Sequence, residues 1–108
     1  MKIRVSRIED FNQVVKTMSE FLLIKHSLSC PISTSAFEEY EKFVEESPET
    51  PTYYLFVQDD RPLSNYVAET YSIKHESPQA LLFRGGQVVW NASHWNITYR
   101  SLSAAYIK

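Results

Sequence analysis

The chain has 108 residues, 44% of them hydrophobic, with seven Tyr, six Phe and two Trp, which excludes disorder and supports one folded domain over residues 1–108. Thirteen acidic against eleven basic residues give a net charge of −2, and the Lys and Arg are scattered, which argues against a nucleic-acid partner. No apolar run approaches the ~18 residues of a membrane span, the segment Met1–Arg7 lacks the apolar core of a secretory signal, and the single cysteine forms no internal disulfide. These features predict a cytoplasmic protein in a reducing compartment, without a membrane partner. The triplets Asn91-Ala92-Ser93 and Asn96-Ile97-Thr98 are then chance matches to the glycosylation pattern.

Ile3 and Val5 alternate with charged neighbours and predict a short first strand. Ser6-Arg7-Ile8-Glu9 matches a capping box, followed by Ile8, Phe11, Val14, Val15 and Met18 at helical spacing. Phe21-Leu22-Leu23-Ile24 is the solid apolar run of a strand covered on both faces. After Cys30-Pro31, one helical stripe carries Ile32, Ala36, Phe37, Tyr40, Phe43 and Val44, with Glu38, Glu39, Glu41, Lys42 and Glu45 opposite. Ser47-Pro48-Glu49-Thr50-Pro51 ends that helix.

Tyr53-Tyr54-Leu55-Phe56-Val57 reads as a central parallel strand, its tyrosines core rather than a stacking platform. Asp59-Asp60-Arg61-Pro62 opens a third helix with Leu63, Tyr66, Val67 and Tyr71 inward. Ser77-Pro78 precedes the strand Gln79–Arg84, Gly85-Gly86 signals a hairpin, and Gln87–Asn91 returns antiparallel. Trp90 reads as a strand-core residue and Trp95 as a loop-packing one. Thr98 to Lys108 forms a last helix burying Leu102, Ala105, Tyr106 and Ile107. The order β-α-β-α-β-α-β-β-α calls for a central mixed sheet, parallel through right-handed crossovers with an antiparallel hairpin at one edge, flanked by helices. Ligands of such sheets bind beyond the carboxyl ends of the strands, where the loop bearing Cys30 belongs.

Cys30 stands where a strand hands over to a helix, and Pro31 suits the first helical position. Free backbone N–H groups and the positive end of the helix dipole favour an anion there, and the thiolate is the nucleophilic form of cysteine. The alternative is a buried, inert cysteine acting as a small hydrophobe.

Three motifs coincide. Cys30-Pro31-Ile32-Ser33 holds the place of the thioredoxin Cys-x-x-Cys, and Ser77-Pro78 that of its cis-proline loop. With Lys25-His26-Ser27, His75-Glu76-Ser77-Pro78-Gln79-Ala80 and Ala92-Ser93-His94-Trp95, essentially the whole chain resembles the monothiol bacilliredoxins, thioredoxin-like proteins of the bacillithiol system. The resemblance implies a thioredoxin-like fold, Cys30 as redox nucleophile, and a cis Pro78 that lines, with Ser77, the groove beside the sulfur. It also implies a one-thiol cycle, because Ser33 stands where the resolving cysteine would be. Cys30 takes bacillithiol from a mixed disulfide on a client protein, and a second low-molecular-weight thiol regenerates it. Bacillithiol is then a co-substrate, and no cofactor is held permanently.

Other residues have two readings each. His26 either stabilises the thiolate or is a polar side chain facing solvent or a carbonyl. His75 either approaches the sulfur from the Pro78 loop or is solvated. Ser33 either turns its hydroxyl toward the sulfur or is an ordinary first-turn serine. Cys30, His26 and His75 lack zinc spacing, so no metal site is expected. The rival to an oxidoreductase is an iron–sulfur carrier with Cys30 as one ligand, or a non-catalytic thioredoxin-like binding module.

Overall fold

The computed structural model describes residues 2–107. Its elements are β1 (Lys2–Arg4), α1 (Ile8–Thr17), β2 (Glu20–His26), α2 (Pro31–Glu46), β3 (Thr52–Phe56), α3 (Arg61–Tyr71), β4 (Gln79–Arg84), β5 (Gln87–Ser93) and α4 (Tyr99–Ile107), with a short 3-10 turn at His94–Asn96. This is the expected order with that one turn added. Lys108 of the expected last helix, and the side chain of Ile107, lie outside the described residues. None of the described helices is long and apolar enough to cross a membrane.

The five strands lie in the order β1-β3-β2-β4-β5. β3 pairs parallel with both β1 and β2, β4 runs antiparallel to β2, and β5 antiparallel to β4. The centre of the sheet is therefore β2 rather than β3, because the β4–β5 hairpin docks on the free edge of β2. Gly85 and Gly86 close that hairpin at φ of 62° and 78°, which a residue without Cβ adopts at little cost.

Alternation along the strands sends side chains to two cores. Phe21, Leu23, Leu55, Leu81 and Phe83 pack with Phe11 of α1 and with Leu63 and Val67 of α3. Leu22, Ile24, Ala80 and Leu82 face Ala36, Tyr40 and Phe43 of α2 and Leu102 and Ala105 of α4. Each fully buried Leu or Phe among them contributes roughly 1.5–3 kcal/mol.

Two local expectations change. The capping box does not form: α1 starts after Arg7, which makes no side-chain cap, and Glu9 pairs with Arg7 Nη2 at 2.8 Å instead. Ser6 thus stands one residue too early to cap. Trp95 is 68% exposed, because the 3-10 turn sends Ile97 inward in its place; Trp90 is half-buried against the α2–α4 core.

β2 and β3 end together, with His26 opposite Phe56, and β4 begins at the same edge, with Gln79 opposite Lys25. The loop to α2, the turn to α3 and the Ser77–Pro78 loop consequently meet at one end of the sheet.

Candidate active site

Cys30 is the N-cap residue of α2 and Pro31 its exposed first residue. The Cys30 carbonyl accepts the first helical hydrogen bond from Thr34 N at 3.2 Å. The thiol is free and half-buried, so it is not the sealed cysteine of the inert reading. A free cysteine in a half-buried residue at the positive end of a 16-residue helix can act as a nucleophile.

Ser33 takes neither of its expected roles. It is fully buried, its Oγ accepts Ser27 N–H at 2.7 Å, and it lies 3.0 Å from His26 Nδ1. The His26 ring is packed on Phe37, with centroids 4.4 Å apart, and burial holds its pKa below the usual histidine value. Ser33 Oγ thus accepts from Ser27 N–H and shares a second hydrogen bond with His26 Nδ1. The Nδ1 of His26 lies against a hydroxyl, and the ring as a whole is half-buried.

The Ser77–Pro78 peptide bond is cis. Pro78 is buried, and its carbonyl accepts His94 N–H at 3.1 Å, with His94 at φ 56°. Ser77 Oγ and Gln79 Oε1, on either side of it, are buried without a protein partner.

His75 is half-buried rather than solvated, and its Nδ1 lies 3.3 Å from Lys25 Nζ and 3.4 Å from Ser64 Oγ. Burial first, then the positive charges of Lys25 and Arg61, hold His75 below the usual histidine value. His26 and His75 belong to opposite faces of the sheet, one against α2 and the other against α3, so they do not converge on one ligand.

Two residues at this end were not singled out from the sequence. Lys25 is 0% exposed, donates to Ser64 O at 2.9 Å, and is pushed down to about 8 by burial. Its signal was available: it continues the alternation of the buried run Phe21–Ile24, which places it inward. Gln58, in the β3–α3 turn, hydrogen-bonds the three residues before Cys30. No periodicity marks it.

The family model for the monothiol bacilliredoxin BrxC matches residues 3–102. A thioredoxin-fold protein proposed to be an oxidoreductase superposes with a TM-score of 0.91 at 42% identity, covering 97% of this chain and 93% of that one. The thioredoxin of Fasciola hepatica superposes at 0.77 with 15% identity, covering 99% of this chain and 97% of its own. That of Trypanosoma brucei brucei gives 0.78 with 12% identity, covering 100% and 93%. The last two show the fold alone.

Proposed function

The chain belongs to the monothiol bacilliredoxin family, and from that premise we propose that it removes bacillithiol from mixed disulfides on protein cysteines, with Cys30 as the nucleophile. Its role in thiol redox chemistry follows from family and fold; the substrate is the proposed part. The observation that supports it most is the half-buried free thiol at the N-terminus of α2, with a committed serine hydroxyl at the position of a resolving thiol.

The Cys30 thiolate attacks the bacillithiol sulfur of the mixed disulfide. That S–S bond breaks, the client sulfur leaves as a thiolate and takes a proton from solvent, and a Cys30–bacillithiol disulfide remains. A serine hydroxyl cannot attack that disulfide, so Ser33 leaves the adduct intact. A second thiol, free bacillithiol in the simplest case, then attacks the adduct, releases the Cys30 thiolate and departs as a symmetric disulfide. Ser77 and Pro78 border the groove for the client segment, which pairs with the chain beside Pro78 as an added strand. The reading implies a reducing, cytoplasmic setting.

Intact mass after incubation with bacillithiol disulfide, and in parallel with glutathione disulfide, tests it. Wild type should gain one bacillithiol and hold it until another thiol is added, with a smaller yield from glutathione disulfide. Cys30→Ser should gain nothing while remaining folded. A wild type that takes up no adduct while its thiol is demonstrably free would end the proposal. Visible absorbance after anaerobic purification would favour the iron–sulfur carrier.

A further inference from the structure

Residues 27–29, the approach to Cys30, have little apolar anchorage of their own. Leu28 is 53% exposed and Ser29 is exposed. What holds them is one side chain from another element. Gln58 Oε1 accepts Leu28 N–H at 3.0 Å, and its Nε2 donates to Ser27 Oγ at 2.9 Å and to Ser29 Oγ at 3.1 Å. These bonds use the carbonyl oxygen and both amide hydrogens, so the orientation of the amide is determined: turned over, Nε2 would face the Leu28 N–H. From the helix side, Ser33 Oγ accepts Ser27 N–H. Cys30 follows the clamped residues and caps α2, so its backbone is restrained from both directions. Gln58 is itself exposed and belongs to neither core layer.

Thiol–disulfide exchange is a displacement in which the attacking, central and leaving sulfurs must come into line, and orientation of that kind lowers the barrier. We propose that Gln58 is a positioning residue for this exchange: by clamping residues 27–29 it holds Cys30 Sγ in the direction from which it attacks a disulfide and, once in a mixed disulfide, is attacked. The inference rests on the reading of Cys30 as the nucleophile. In each step one S–S bond forms as another breaks, and the departing thiolate is protonated by solvent; Gln58 exchanges no proton or electron.

The test uses dithiobis-nitrobenzoate, an aromatic disulfide that releases a coloured thiolate, with the full chain. Gln58→Met keeps length and shape but removes all three bonds. It should slow release about tenfold, through the lost orientation of the attacking sulfur. The unfolding midpoint should fall only modestly, because Leu28 and Ser29 are exposed and water can take up the freed groups, and the Leu28 amide should lose protection from hydrogen exchange. In a Ser27→Ala/Ser29→Ala background the same substitution should have a distinctly smaller effect, since two of its bonds are already gone. An unchanged rate accompanied by loss of Leu28 protection would overturn the inference, as would a full tenfold loss in the serine-free background, which would mean that Gln58 acts elsewhere. If wild type reacts with this probe but takes up no bacillithiol, the substrate reading fails and the role of Gln58 is still measured.

Discussion

Position 33 is one helical turn from Cys30, where a second thiol would attack the mixed disulfide from within the chain. The serine there has a different use. Its hydroxyl links Ser27 N–H to the His26 ring and so closes the loop that presents the cysteine. Ser33→Cys should therefore change two properties together. Loaded with bacillithiol disulfide, the variant should lose its adduct without added thiol and end two hydrogen atoms lighter than its reduced form, which intact mass will show. Sulfur accepts hydrogen bonds poorly, so Ser27 N–H is left under-satisfied in a buried place, and unfolding free energy should fall by about 1–3 kcal/mol. A stable adduct on the variant would mean that positions 30 and 33 do not reach one another.

At the scale of elements, the first strand is the weakest unit. β1 has three residues, all exposed, on an outer edge of the sheet. It is tied down at and just beyond its end: Val5 is buried and donates to Tyr54 O at 2.9 Å, and Arg4 makes a two-pronged contact with Asp60 at 2.9 and 3.2 Å. Asp60 is 3% exposed and also accepts Phe56 N–H at 2.9 Å, so one carboxylate joins β1 to the start of α3 and the end of β3. Arg4 lies over the Phe56 ring, 4.7 Å from its centroid. Asp60→Ala should cost about 1–3 kcal/mol from the lost acceptor for Phe56 N–H alone. Amide exchange in residues 3–5 should quicken. Arg4→Gln should loosen the strand with a smaller loss of stability, because Asp60 keeps its backbone bond. Equal losses from both variants would count against the carboxylate as the junction.

For the whole molecule, the buried lysine couples stability to pH. Lys25 Nζ is sealed between β2 and α3, against Ser64 O and the ring of His75. Burial lowers it to about 8, well below the value of roughly 10.4 in an unfolded chain. Between those values the unfolded state binds more protons, so stability rises with pH across that window and falls back as pH drops through 8. A single proton gives a slope of at most about 1.4 kcal/mol per pH unit. Buried Tyr40 and half-buried Tyr106 are held above the usual phenol value and act in the opposite sense at the alkaline end. The difference between wild type and Lys25→Met isolates the lysine. In denaturant titrations from pH 7 to 10, wild type should gain on the variant above pH 8. A constant difference would mean that Lys25 keeps an ordinary pKa.

The elements were legible because their signals are local. Apolar runs, helical stripes, Pro31, Pro48 and the Gly85-Gly86 pair act within a few residues, and the elements they mark recur in the folded chain with ends shifted by a residue or two, as where β3 runs Thr52–Phe56 and β5 extends to Ser93. The place of Cys30 at the head of α2 is equally local. The cis bond at Pro78 was implied by family resemblance, not by spacing. What tertiary structure decided lies in pairs far apart along the chain. Gln58 meets Ser27 31 positions away, and Lys25 meets Ser64 39 away. Hydrogen-bond partners of that kind are set by which strand ends share an edge, and β2 becomes the centre only when the hairpin docks on it. The exposure of Trp95, the burial of Ser33 and the packing of His26 on Phe37 follow from the same cause: a side chain's surroundings belong to the packed layers, whereas its tendency to turn, coil or extend belongs to its neighbours in sequence.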